Sequence, residues 1–257
     1  MLHKLDLLQY SDFIDLAEAH DCGAVYPLSV AEGIQEGDIF INAARGYEQV
    51  LFWAHSGFAY LSGEADVCFL DEVYGFMTDC TKSNTRRFLL MTRNPHIEEY
   101  FTQKDDCIVE KRYLFTYAGD TKVPMPLLPA GCALREIDSR LLKSISGQII
   151  PSRFWKNADD FFVRGKGYCI VCGNDIASWA FSAAVSTKEI DIGIETDANY
   201  QQRGLGIIVA KKMIQYVTGQ AKRPVWACHY KNIASAKMAE KLGFVKVAEC
   251  SVIKRKV

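Results

Sequence analysis

Apolar positions in this chain change period along its length, and each change marks an element. Residues 12–20 have helical spacing, residues 50–61 form two extended runs broken at Ser56-Gly57, and residues 86–92 read as a strand. Asn94-Pro95 offers a cap and a first-turn proline, so a helix is expected to begin there and carry Ile97 to Phe101. Residues 109–117 read as another strand. Pro124, Pro126 and Pro129 then crowd residues 118–131, each removing a donor and fixing φ, which predicts a linker.

Beyond it, residues 132–137 read as a strand and residues 139–146 and 154–163 as helical stretches. Residues 168–172 and 176–185 make a hairpin about Gly173-Asn174-Asp175. Residues 189–195 alternate strictly, with Ile190, Ile192 and Ile194 on one face and Glu189, Asp191 and Glu195 on the other. A solvated face is the expectation for Glu189 and Asp191. Glu195 ends the strand ahead of Gln201-Gln202-Arg203-Gly204-Leu205-Gly206, and a helix with Ile207, Ala210, Ile214 and Val217 on its apolar face follows, stopped by Gly219. Glycines that open a helix leave N–H groups unsatisfied at the positive end of the dipole, with no Cβ in the way, which suits a pyrophosphate. Residues 224–228 read as a strand. Asn232 caps a helix whose buried stripe is expected to be Ala234, Met238 and Leu242, Gly243 ends it, and residues 245–252 form the last strand.

Composition narrows the partners. At 257 residues, 49% apolar and 24% charged, the chain is large enough for two compact lobes. Thirty Lys and Arg against 31 Asp and Glu leave a net charge of -1 and no basic block, which argues against nucleic acid. Apolar runs at residues 50–53 and 88–91 fall far short of the roughly 20 residues of a membrane helix. Asp6 interrupts the start where a signal peptide would be apolar, so a mature cytoplasmic protein is expected, with no membrane partner. Nine scattered cysteines fit free thiols in a reducing compartment. Cys169 and Cys172, three apart on a strand, point to opposite faces, and the five histidines share no ligand spacing, so no metal is expected.

Gln201, Gly204 and Gly206 resemble the acyl-CoA motif of the GNAT superfamily of acetyl-CoA-dependent N-acetyltransferases, and Asn232, Ser235, Gly243 and Phe244 resemble its later strand-and-helix element. Through Trp226 and Cys228 the whole chain also resembles a bacterial group of two-lobed GNAT proteins. A Rossmann site fits less well, because it wants its acidic residue after the glycines and Asp197 precedes them. The resemblance implies an α/β (α+β) chain, with a C-terminal GNAT fold over residues 131–257 whose mixed central sheet is flanked by helices. Residues 1–120 are then an N-terminal α/β lobe that shapes the acceptor cleft or is a degenerate GNAT-like half. The implied donor is acetyl-CoA, held by Ile194, Gln201, Gln202, Arg203, Gly204, Leu205, Gly206 and Ile207 with Asn232 and Ser235. The implied acceptor is an amine of a small molecule or peptide that attacks directly; a homodimer is left open.

Such an attack needs a neutral amine. A lysine-like group with pKa about 10.4 is ionised at pH 7 by about 3.4 units, roughly 4.6 kcal/mol, so a base is valuable. Glu195, at the strand end and away from the isoleucine row, is the candidate. Backbone N–H groups near it would meet the oxyanion, where the family strand splays from its neighbour. Many family members place a general-acid Tyr four residues before the Gly of Gly-Phe, and here that residue is Ala239. Tyr230 is the candidate substitute, against a structural role in the core; Cys228 reads as a packed thiol and His229 as a proton carrier on the opposite face. A non-catalytic acyl-CoA-binding or sensing module is the alternative.

Overall fold

The computed structural model describes residues 1–42, 46–83, 86–119 and 124–256. The end of the expected first lobe, at residue 120, and residues 121–123 of the proline stretch lie outside the described residues. In chain order the elements are β1 (Leu2–Lys4), α1 (Ile14–Glu18), α2 (Val25–Ala31), β2 (Gly37–Asn42), β3 (Gly46–Ala54), β4 (Phe58–Gly63), α3 (Val67–Ser83), β5 (Leu89–Thr92), α4 (Pro95–Thr102) and β6 (Cys107–Tyr117). They continue with β7 (Cys132–Glu136), α5 (Ser139–Ser144), α6 (Ala158–Arg164), β8 (Gly167–Cys172), β9 (Asp175–Val185), β10 (Glu189–Thr196), α7 (Leu205–Gly219), β11 (Arg223–His229), α8 (Ile233–Lys241) and β12 (Phe244–Arg255). Among the described residues no helix is long and apolar enough to cross a membrane.

Two compact units result. One comprises Met1–Leu114, His229–Lys231 and Ala248–Val257; the other comprises Phe115–Cys228 and Asn232–Val247. Residues 248–257, grouped above with the C-terminal domain, thus fall in the first unit, because Ser251, Val252 and Ile253 of β12 pair with Thr92, Met91 and Leu90 of β5.

In the first unit the strands run β1-β2-β3-β4-β5-β12, with β4 and β5 parallel. Its core gathers Leu51 and Trp53 of β3, Phe69, Leu70, Val73 and Met77 of α3, Ile97 and Phe101 of α4, and Ile253. The 17-residue helix α3 is absent from the expectations above. Its apolar spacing is helical, but Val67, Val73 and Thr78 lower its propensity and Gly75 interrupts it. What starts it is Asp66, whose Oδ1 accepts the Phe69 N–H at 2.8 Å. Asn94 does the same for α4, accepting from His96 at 2.9 Å with Pro95 next in line, as the sequence indicates.

The His20 side chain is buried in this unit. Its Nδ1 accepts the Cys22 N–H at 3.2 Å and its Nε2 donates to Leu61 O at 3.2 Å, which fixes a neutral tautomer. Burial pushes its pKa below the usual value, offset in part by Asp21 and the Leu61 carbonyl. The unfolded chain then binds a proton below about pH 6.5 that the folded chain refuses, so this group makes stability fall as pH drops through that window. His20→Gln is expected to flatten the fall between about pH 6.5 and 5, read as urea midpoints at stepped pH.

In the second unit the strands run β11-β10-β9-β8-β7, with β10 and β11 parallel and the rest antiparallel. The β8–β9 hairpin turns at Gly173, whose φ of 62° suits glycine. The expectation of nine free thiols does not hold: Cys132 of β7 and Cys172 of β8 are disulfide-bonded, leaving seven free cysteines. They face each other in the antiparallel register, a partnership across 40 residues that local spacing cannot show.

Other expectations are also corrected. Asp191 is buried, 7% exposed, rather than solvated. The face of β10 opposite the isoleucines is covered: a Cβ on Gly193 would lie 2.9 Å from the Phe181 ring, and Phe181 in turn packs on Phe154 and Phe161. Glu189 is held by Arg223. The buried stripe of α8 includes Ala239 and Leu242 but not Ala234, which is exposed. The inward face instead carries Ser235 and Ala239, and there Trp226 Nε1 donates to Ser235 Oγ at 3.0 Å.

Gly219 is the last helical residue of α7, but the left-handed residue after it is Ala221, at φ 55°. Ala221→Gly is expected to stabilise the protein by about 0.5 kcal/mol, the relief of roughly 1–2 kcal/mol at αL less roughly 0.5–1 for glycine entropy. A thermal melt of the full chain measures it.

Candidate functional site

The turn between β10 and α7 is built from two left-handed residues, Gln202 at φ 60° and Gly204 at φ 75°, with Gly204 as the N-cap. Gly204 O accepts from Ile207 N at 3.1 Å and Ile208 N at 3.4 Å, so the first helical bonds begin only there. The N–H groups of Arg203, Gly204, Leu205 and Gly206 have no acceptor among the described residues. Four consecutive donors at the start of a 15-residue helix are an arrangement suited to an anion. The floor of the turn is tight: a Cβ on Gly206 would lie 3.2 Å from Met238 Cε and 3.3 Å from Thr196 Oγ1. Its flank is Pro126 of the proline stretch, 3.4 Å from where a Gly204 Cβ would be.

The side chains of the turn brace it from outside. Gln201 Nε2 donates to Thr196 O at 3.3 Å, and Arg203 donates to Asn199 O at 3.0 Å with its guanidinium 5.2 Å from the Tyr200 ring centre. Gln202 is exposed and Ile207 half-buried. Asn232 and Ser235 are already engaged: Asn232 Oδ1 caps α8 by accepting Ser235 N at 3.1 Å, and Ser235 Oγ takes the Trp226 bond. Only Asn232 Nδ2 and the Ser235 hydroxyl hydrogen stand outside those two bonds.

The parallel register of β10 with β11 covers Glu189, Ile190 and Asp191 and stops at Asp191–Val225, whereas β10 itself continues to Thr196. From Ile192 onward β10 is held by β9 and has no ladder partner on β11. Ile194 and Glu195 lie on this freed edge. The Glu195 carboxylate is half-buried, and its Oε2 accepts Gln148 N at 2.8 Å and Ile149 N at 2.6 Å. Gln148 and Ile149 are absent from the residues the sequence singles out, and their separation from Glu195 left no local signal.

Tyr230 falls in the other compact unit. It is half-buried rather than a core residue; its N–H donates to Lys111 O at 3.0 Å and its ring packs 4.8 Å from His229, while its hydroxyl has no partner among the described residues. His229 Nδ1 accepts Lys231 N at 3.2 Å and its Nε2 faces Glu110 at 3.5 Å, so both nitrogens are committed within that unit. Cys228 is buried, 4% exposed. Among the described residues, the trio His20, Asp21 and Cys22 gathers its ligand atoms within 4.8 Å, but both nitrogens of His20 are already hydrogen-bonded.

The GNAT acetyltransferase family matches residues 23–253. The chain belongs to it. It is an N-acetyltransferase by family, and an uncharacterized N-acetyltransferase of Bacillus subtilis (strain 168), YdfB, is 23% identical over 98% of this chain and 98% of its own. Among solved structures, a GCN5-related N-acetyltransferase-like protein from Streptococcus suis is similar, with a TM-score of 0.74 at 18% identity over 98% of this chain and 100% of that one. A tandem GNAT protein from the clavulanic acid biosynthesis pathway, solved without AcCoA, has a TM-score of 0.63 at 10% identity, covering 98% of this chain and 97% of that one. These structural likenesses establish the fold. Within this N-acetyltransferase, the position of the usual general acid is taken by Ala239, which is fully buried.

Proposed function

We propose that this protein moves the acetyl group of acetyl-CoA to a primary amine by direct attack, with Glu195 as general base. The observation that carries the reading is the row of four N–H groups from Arg203 to Gly206 without an acceptor among the described residues, an arrangement suited to a pyrophosphate. When bound, acetyl-CoA supplies an activated thioester whose thiol is a good leaving group.

The chain's own residues supply the rest. Residues 201–207 hold the phosphates, with Asn232 Nδ2 and the Ser235 hydroxyl as further donors. The edge of β10 at Ile194, free of β11, offers a backbone N–H to a developing oxyanion. Glu195 takes the proton of the amine, directly or through water. A departing thiol with pKa about 8.5 costs only about 2 kcal/mol to leave unprotonated at pH 7, so Ala239 in place of a tyrosine is tolerable. The acceptor is a small molecule or peptide amine. A cytoplasmic setting accords with the seven free thiols, and the Cys132–Cys172 bridge runs against it.

The experiment is calorimetry of the full chain with CoA and acetyl-CoA, followed by thiol release from acetyl-CoA across amines, amino acids, aminoglycosides and peptides. Binding with amine-dependent release supports the transferase. Binding with no release under any amine favours the sensing module, and absence of binding removes both.

A further inference from the structure

The Glu195 carboxylate does not simply project from its strand. Directly across the antiparallel register from Glu195 stands Trp179 of β9, so both side chains leave the same face of the sheet. Trp179 Nε1 donates to Ile149 O at 2.7 Å, while Glu195 Oε2 accepts the N–H of Gln148 and of Ile149. One residue, Ile149, is therefore gripped at its N–H by one strand and at its C=O by the next. Arg153 adds a bond to Gln148 Oε1 at 3.2 Å. The turn before Ile149 is cut to fit: a Cβ on Gly147 would lie 2.6 Å from Glu195 Oε2 and 2.8 Å from both Cδ and Oε1. The carboxylate fills the space that a Cβ at Gly147 would take.

We propose that residues 147–149 are a positioning turn for Glu195, with Gly147 as its positioning residue: the turn holds Oε2 and presents Oε1 to the acceptor amine. The proposal rests on the reading of Glu195 as base and deepens it. Both bonds recorded for the carboxylate fall on Oε2, so Oε1 is the oxygen left to take a proton. A carboxylate on a strand end would otherwise sample several rotamers, and a misplacement of about 1 Å can cost up to about a hundredfold in rate. Two N–H donors and a glycine floor remove that freedom.

Gly147 is not in the left-handed region, so alanine is compatible with its backbone and only the far end of the Glu195 side chain has to move. Gly147→Ala therefore displaces the carboxylate without attacking the fold. The test uses the full chain, 15N-labelled and without ligand, so it needs no known acceptor. In the natural protein the amide signals of Gln148 and Ile149 are expected to move together with pH as the carboxylate takes up a proton, and to lose that movement in Glu195→Gln. In Gly147→Ala the movement is expected to disappear while thermal stability and calorimetric affinity for CoA are kept. With any amine that the thiol-release screen finds active, kcat should fall about tenfold or more at an unchanged KM for acetyl-CoA. Coupled movement that survives in Gly147→Ala, or that persists in Glu195→Gln, overturns the proposal. Should Glu195→Gln instead keep near-normal turnover while the amide coupling stands, the turn is upheld and the base assignment is what fails.

Discussion

Gly204→Val is expected to weaken binding of CoA and of acetyl-CoA by about a hundredfold or more. Gly204 is the left-handed N-cap of α7, at φ 75°, a conformation in which valine is strained and from which its side chain would meet Pro126. To escape, the turn must rotate, which re-aims the four N–H groups from Arg203 to Gly206. A hydrogen bond to a charged oxygen contributes about 1.5–3 kcal/mol, so losing two of them gives a hundredfold or more. Gly204→Ala, which bears the φ strain without the branched side chain, should lose less. Calorimetry with each nucleotide, alongside a circular dichroism melt to show that α7 persists, makes the measurement; undiminished CoA affinity in a folded Gly204→Val chain would place the cofactor elsewhere.

Glu195→Gln should leave CoA affinity intact and lower turnover by about 10²-fold or more, the usual worth of a positioned base. The amide is nearly the same shape and its oxygen can still accept from Gln148 and Ile149, so the change removes basicity more than geometry. The loss should be greatest near neutral pH and shrink as the amine deprotonates in bulk toward its own pKa, about 10.4 for a lysine-like acceptor. The pH profile of thiol release, compared between the two proteins on one amine, reads this directly. Equal rates at neutral pH would assign proton removal to another group.

Much of the scaffold was legible because it is locally encoded. The Asn94-Pro95 start of α4, the turn at Gly173, the glycine opening of α7 and the Asn232 cap of α8 each rest on residues within about one helical turn, and the structure realises them. Helix α3 was not legible for the opposite reason: its β-branched residues and Gly75 argue locally against a helix that burial of Phe69, Leu70, Val73 and Met77 makes stable. The stripe of α8 differs from the expectation because an apolar pattern gives a helix its period but not its rotation, which tertiary burial of Ala239 and Leu242 sets.

By itself, then, the sequence determined the elements with strong caps, the glycine turn between a strand and a helix, and the position of Glu195 at that strand's end. The tertiary structure decided what those parts are held by. It placed Trp179 opposite Glu195 so that together they grip Ile149, paired Cys132 with Cys172, gave residues 248–257 to the first unit, and ended the β10–β11 ladder at Asp191. Apart from the pairing of Trp179 with Glu195 on adjacent strands, these depend on contacts between segments 30 or more residues apart, as in the 46-residue separation of Ile149 and Glu195. Propensity, capping and turn chemistry act over a few residues, whereas register is chosen by which side chains fill the shared core, and that choice is made only once distant strands have paired.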